Sequence, residues 1–347
     1  VKRSSRPGIK DVAAAAGVSP TTVSDALNGK GRLPEETRAR VKAIADKLGY
    51  RPNAIARGLR SRQVGLLGLV LVPGAATTVT TVSYWIEVLT QAAESALDSG
   101  YALVMLPADP DALSPMAFPI DGVIVVDPIE HDAVLAALRE ERIPVVTVGR
   151  DIGGTEEPWV DDAIEAGVVH LLNTIAKPGE RVALLTVGNT KSYVQDTLNG
   201  LQAWKGHPKA HPIIIEVESP ILEDVQPAIT RLIEEGLPDV ILGVNERMTM
   251  SVHRALRSAG IRIPHDVRLA SLVESPDLNR MKPAVTALVQ HPRRSAELAI
   301  SALIDLIEGR GAAASALTPM DLRVRASAPK VVAAAKPRQR RDPGKAS

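Results

Sequence analysis

Residues 9–41 read IKDVAAAAGVSPTTVSDALNGKGRLPEETRARV, and three short helices follow from that stretch. Ile9, Val12, Ala13 and Ala16 recur at three- and four-residue steps, the spacing of one helix face, and Gly17 ends the run. Ser19 can accept from a free N–H of the next helix, and Pro20 suits the first helical position, where a missing N–H costs nothing. The second helix is therefore predicted to run from Pro20 through Thr21, Thr22, Val23, Ser24, Asp25 and Ala26 to Leu27, with Val23 and Leu27 inward and the polar residues outward. Asn28 and Gly29 stop it. A third helix is predicted from about Pro34, with Glu35 and Glu36 at the positive end of the helix dipole and Val41, Ile44, Ala45 and Leu48 buried before Gly49. A tight turn and a polar second helix on a small shared core match the way a helix-turn-helix presents its recognition helix to the major groove.

Charge is distributed to suit that reading. Net charge over the 347 residues is +1, but residues 1–62 carry 14 Lys/Arg against 5 Asp/Glu, leaving 27 against 35 in the rest. A head at +9 on a body at −8 suggests that the head meets a polyanion. The absence of cysteine excludes disulfides, thiolate zinc sites and cysteine nucleophiles. Lys2, Arg3 and Arg6 precede a polar helical pattern where a signal peptide needs a continuous apolar stretch, and no later segment reads as a membrane span. A cytoplasmic protein without membrane contact is the expectation.

Outward from the opening stretch, the pattern continues as LGYRPNAIARGLRSR over residues 48–62, VILGVNERM, LRSAGIRIPHDV and finally LTPMDLRVRAS. On these motifs the chain resembles the lactose-repressor (LacI/GalR) family over residues 8–327. The resemblance implies a sequence-specific transcriptional regulator, most simply a homodimeric repressor on a pseudo-palindromic double-stranded DNA operator, modulated by a small-molecule effector of unspecified identity. It implies a helix-turn-helix domain at 1–50, a hinge at 51–63, a two-lobed effector-binding and dimerisation domain at 64–328, and a disordered basic tail at 329–347. That tail, from Lys330, holds six Lys/Arg and one acid.

The resemblance places base-reading side chains at Pro20, Thr21 and Asp25 and phosphate contacts at Thr22 and Ser24, with Ser19 and Asn28, at the helix ends, also among the DNA-binding residues. Many relatives carry arginine where this chain has Asp25. A carboxylate can only accept, and its natural donor is cytosine N4; the alternative is a solvated Asp25 that repels phosphate. Residues 51–62 are too few to hold a helix alone in water and are expected to fold on DNA. There Arg57 faces phosphate, and Leu59 either wedges into the central base step of the minor groove or packs against the sensor domain.

After Gln63 short apolar runs alternate with helical stretches, the mark of parallel sheets covered on both faces. Strands are read at VGLLGLVLV, YALVMLP, IDGVIVV and IPVVTVG in a first half, and at RVALLTVG, PIIIEVE, DVILGV and VRLASLV in a second. The expected fold is thus an all-α head plus an α/β sensor of two doubly wound lobes resembling periplasmic binding proteins, with a ligand cleft at the strand C-termini. By resemblance the first lobe takes about 64–150 and 291–316, and the second about 160–289 and the last strand.

The cleft departs from its relatives. Where sugar- and purine-binding members usually carry arginine this chain has Thr197, and where they place a strand-end aspartate it has Val273 followed by Glu274; Thr197 and Glu274 are the candidate effector contacts at these places. Asp161 and the pair Asn245–Glu246 do match, either as helix-capping groups or as ligand contacts, capping being the favoured reading. Tyr84, Trp85, Trp159 and Tyr193 are the candidate cleft aromatics in a chain with one Phe, three Trp and four Tyr. The expected effector is therefore not an ordinary pyranose, unless the cleft has lost small-molecule control. His207 and His211 are flanked by Pro208 and Pro212 and form no metal set, residues 149–154 lack a phosphate-cradling order, and no catalytic constellation stands out, so no cofactor, metal or enzymatic activity is expected.

Overall fold

The computed structural model describes residues 7–27, 33–50, 63–71, 82–113, 119–154, 157–188, 190–206, 212–311 and 315–331. The expectations for Asn28, for Arg57 and Leu59 in the hinge, for His207 and His211, and for the chain beyond residue 331 fall outside them. The chain divides into two compact units, residues 1–66 and 67–347.

The first unit holds α1 (Ile9–Ala16), α2 (Pro20–Leu27) and α3 (Glu35–Leu48). Ser19 Oγ accepts from the Thr22 N–H at 3.0 Å and so caps α2. Gly17 and Gly49 take φ of 64° and 66°, which lets Val18 donate back to the Ala13 carbonyl and Tyr50 to that of Ala45. Val12, Val23, Ala26 and Val41 are fully buried, with Ile9, Leu27 and Ile44 packed at the rim. Leu48, expected inside, is 36% exposed. The left-handed turn at Gly49 brings Tyr50 onto the core at that end of α3 instead.

The second unit contains two six-stranded sheets. The first lobe comprises β1 (Leu66–Leu71), α4 (Val82–Asp98), β2 (Ala102–Leu106), α5 (Pro110–Leu113), β3 (Gly122–Val126), α6 (Ala133–Glu140), β4 (Val145–Val148), β5 (Trp159–Asp162), α12 (Pro292–Glu308) and β11 (Ala316–Thr318). The second comprises α7 (Ile164–Ile175), β6 (Val182–Thr186), α8 (Ser192–Ala203), β7 (Ile213–Glu216), α9 (Leu222–Glu234), β8 (Val240–Gly243), α10 (Glu246–Ser258), β9 (Arg268–Ser271), α11 (Pro276–Arg280), β10 (Thr286–Val289) and β12 (Asp321–Arg323). Strand orders are β2-β1-β3-β4-β5-β11 and β7-β6-β8-β9-β10-β12. Both orders are doubly wound, with β12 antiparallel to β10.

The buried centres of these sheets are read as expected. β3, β4, β6 and β8 are buried along their whole length because helices cover both faces. The edge strands are not: Met105 of β2 is 51% and Ile214 of β7 46% exposed. The chain crosses into the second lobe close to the expected position of about 160. β5 pairs with β4 and β11, so the chain enters the second lobe only after Asp162. Val331 donates to the Thr174 carbonyl at 3.0 Å, which carries ordered chain past the expected start of the tail at 329.

Between α7 and α8 the backbones approach closely at Gly200. A Cβ there would lie 2.8 Å from both the Glu165 carbonyl oxygen and Val168 Cβ. The glycine fixes how α8, and the cleft residues it carries, sit on the second lobe.

Candidate functional site

Two surfaces carry the functional argument, one in each unit. In the first unit, Ser19, Pro20 and Thr21 are exposed and Thr22, Ser24 and Asp25 half-buried, on a helix whose other side is held by Val23 and Ala26. Ser19 is committed to the cap, and its hydroxyl also pairs with that of Thr22 at 2.8 Å. Thus α2 offers a short polar face anchored by two small apolar residues.

In the second unit a cavity of about 150 Å³ opens at the strand C-termini, where both lobes supply its wall. That volume holds on the order of ten water molecules. The first lobe contributes Tyr84, Trp85, Asp127, Asp161 and Asp162; the second contributes Lys191, Tyr193, Thr197, Asn245 and Val273. Gln290, at the second chain crossing, also lines it, with aliphatic side chains such as Val126 and Leu272 between these groups.

Charge at the lip is arranged across the lobes. The Lys191 ammonium, at the start of α8, pairs with the Asp127 carboxylate at the end of β3, each side chain about one-fifth exposed. Arg150, following β4, donates through Nε to Asp161 at 2.9 Å and through its terminal nitrogen to Asp196 of α8. Two main-chain contacts run beside these pairs: the Arg150 N–H donates to Ser192 Oγ at 3.1 Å, and the Glu130 N–H to the Thr190 carbonyl at 2.7 Å. Burial pushes the Asp127 carboxyl up, against the opposing pull of Lys191, and pushes Asp196 up against the pull of Arg150. Asp127 has φ of 58°, a left-handed conformation uncommon outside glycine that aspartate adopts more readily than most residues.

The tyrosines are apolar walls with hydroxyls held neutral. Burial, with neighbouring carboxylates, raises Tyr84 and Tyr193 well above the ordinary phenol value. Tyr84 packs edge-on to Trp85 with ring centroids 5.1 Å apart, and Tyr193 shares a hydrogen bond with Asn245. Thr197 is buried and spends its hydroxyl on the Tyr193 carbonyl at 2.7 Å. Asn245 accepts from the Met248 N–H at 2.9 Å and so caps α10 while still lining the cavity. Asp161 does not cap α7; it is held by Arg150 and accepts from the Asp162 N–H. Glu246 is buried, and a hydrogen bond from Ser275 partly offsets the rise that burial imposes on its carboxyl.

Two expected cleft residues lie elsewhere. Trp159 is not among the lining residues, because the Arg150 guanidinium covers its ring at 5.3 Å from the centroid. Glu274 is held in a two-pronged pair with Arg325, both contacts 2.7 Å, which turns it away from the cavity. Conversely Asp127, Lys191, Asp162 and Gln290 were not expected. Asp127 ends a strand before Pro128, a local sign that a cleft position begins there; nothing in the sequence links it to Lys191.

Comparison with known proteins fits both surfaces. The signature of the bacterial regulatory proteins of the lacI family matches residues 8–53, and that of the periplasmic binding protein-like domain matches residues 180–328. Residues 8–53 therefore form a LacI-family helix-turn-helix domain, and residues 180–328 belong to a periplasmic binding protein-like domain. It is 27% identical over 317 residues to the HTH-type transcriptional repressor PurR of Photobacterium profundum, spanning 87% of this chain and 92% of that protein. The HTH-type transcriptional regulator KdgR of Bacillus subtilis is 25% identical over 321 residues, 87% and 91% of the two chains. The fold superimposes on the transcriptional regulator CelR–cellobiose complex with a TM-score of 0.67 at 23% identity, covering 93% of this chain and all of that one. The lac repressor dimer bound to operator and the anti-inducer ONPF gives 0.66 at 21% identity, covering 93% and 99%. Among the described residues no helix is long and apolar enough to cross a membrane.

Proposed function

We propose that the protein is a cytoplasmic, homodimeric repressor that reads a pseudo-palindromic operator through α2 and is modulated by a small molecule in the interlobe cavity. The observation that carries the reading is the capped α2, which offers Pro20, Thr21 and Asp25 outward from a core of fully buried Val12, Val23 and Val41. In this reading Pro20, Thr21 and Asp25 meet base edges, Thr22 and Ser24 meet phosphate, Ser19 and Asn28 fix the helix ends, Arg57 neutralises phosphate, and Leu59 enters the minor groove. One such head spans too few base pairs to find a site in a genome, which is why two are needed. A dimer on an operator, as in the lac repressor structure, supplies the analogy.

In the same reading the cavity residues Tyr84, Asp161, Tyr193, Thr197 and Asn245 meet the effector, and ligand binding biases the closure of the two lobes and hence the spacing of the heads. That is a coupling free energy between sites. The test is selection of bound sequences from a random duplex pool by wild type and Asp25→Arg at one fixed salt concentration. A pseudo-palindrome whose half-sites change with the mutation supports the reading. A wild type that enriches nothing overturns it, and identical sites for both proteins remove Asp25 from base reading.

A further inference from the structure

The composition of the cavity points to the charge of its ligand, an inference that rests on the effector reading above. Asp127, Asp161 and Asp162 line the cavity against one lysine, Lys191. Behind them Arg150 is shared between Asp161 and Asp196, so four carboxylates meet two cations within the same cluster. Gln290 and Thr318 hold Asp162 by hydrogen bonds at 2.8 and 2.6 Å without neutralising it. The rest of the wall is uncharged: Tyr84, Trp85 and Tyr193 stand beside valines, an isoleucine and a leucine, with Ser192, Thr197 and Asn245 among the polar groups. An anion entering here would lose its hydration against a field of its own sign, whereas a cation gains both a carboxylate and aromatic faces.

A second observation shows what one position accepts. The group placed on Asp127 is a primary ammonium, delivered by Lys191 from the opposite lobe on a flexible aliphatic stem. We propose that the cavity is a site for a small ligand carrying a protonated amine on an apolar or aromatic body, with Asp127 as its counter-ion, and that Lys191 supplies that cation from the chain itself. The ligand's ammonium and Lys191 therefore compete for one carboxylate. Because Asp127 lies on the first lobe and Lys191 on the second, the competition exchanges a bond between lobes for a bond to the ligand.

The experiment uses Lys191→Ala, which removes a propylammonium's worth of side chain, and asks whether free propylammonium chloride replaces it. Melting temperature and calorimetric binding are followed, with sodium propionate and sodium chloride at equal ionic strength as controls. The proposal expects propylammonium alone to bind and raise the melting temperature, and expects Lys191→Ala with Asp127→Asn to lose the response. Equal effects of propionate and propylammonium, or none from the amine, overturn it.

Should Lys191→Ala fail to fold, wild type is titrated with phenethylammonium and with 3-phenylpropionate, which share a ring and differ in charge. The ammonium should bind roughly tenfold tighter, as one desolvated charge pair readily provides; equal affinities, the reverse order, or no binding of either overturn the assignment. The duplex selection is run on the same wild-type preparation. An enriched operator without amine binding sinks the ligand class alone, and amine binding without an enriched operator sinks the regulator reading alone.

Discussion

Gln290 donates through Nε2 to the Asp162 carboxylate at 2.8 Å, and so joins two of the places where the chain passes from one lobe to the other. Asp162 ends β5, and Gln290 follows β10. The same carboxylate accepts from Thr318, the end of β11 and the third crossing, at 2.6 Å. The Thr318 carbonyl in turn accepts from the Ala163 N–H at 2.9 Å. Three strand ends are thus tied at one buried side chain. Asp162→Ala should leave the buried Thr318 hydroxyl and the Gln290 amide without this acceptor, at a cost of about 2 kcal/mol. Asp162→Asn, which keeps one oxygen acceptor, should cost less than half as much. Urea unfolding of the second unit measures both.

Gly200→Ala should destabilise the second lobe by about 1–3 kcal/mol, since a methyl group there meets backbone and a β-branched side chain at 2.8 Å rather than a side chain able to swing aside. The expected readout is a lower urea midpoint together with weaker effector binding, because α8 also carries Lys191 at its start and Thr197 within it. An unchanged midpoint would mean that α7 and α8 separate freely.

Helix ends in the first unit could be read because caps are local: Ser19, Pro20, Gly17 and Gly49 each act within a few residues of themselves. Central strands were legible for the same cause, an unbroken apolar run. β5, β10 and β11 were missed; β5 ends in two acids and β11 has three residues, so neither offers the apolar run that marks β4 or β8. The cleft was legible only in part. Tyr84, Asp161, Tyr193, Thr197 and Asn245 line it, but Trp159 and Glu274 are claimed by Arg150 and Arg325, partners 9 and 51 positions away in sequence. Asp127 and Lys191 are 64 apart and belong to different lobes, a pairing that only the tertiary fold determines.

Val41→Ala removes two methyl groups from a fully buried position of the small three-helix core and should cost about 2 kcal/mol. The first unit has little core to spare, so retention of the selected duplex should fall several-fold at 37 °C. The urea transition of the second unit should stay where it is. A shift in that transition would show that the two units do not unfold separately.

Asp266 accepts from the Arg262 guanidinium at 2.9 and 2.7 Å and from its N–H at 2.8 Å, and these bonds push its carboxyl down to about 2. With the folded value below the unfolded one, the pair's stabilisation is present above pH about 4 and is lost as pH falls through about 2. Arg262→Gln should raise the Asp266 carboxyl toward the ordinary aspartate value, read directly by carboxyl NMR titration. An unmoved midpoint would assign the depression to the surrounding loop instead.

Because α12 packs against α4, β3, β4 and β5 yet follows the whole of the second lobe up to β10 in sequence, the first lobe cannot close its core early in synthesis. Its opening strands must wait, partly formed, until residues 292–308 have left the ribosome, by which time nearly all of the other lobe has emerged. Neither lobe is therefore one unbroken stretch of gene: a single crossover after β5 carries α12 and β11 of the first lobe along with the second, so exchanging the second lobe nearly whole takes two crossovers, one on each side of residues 163–290.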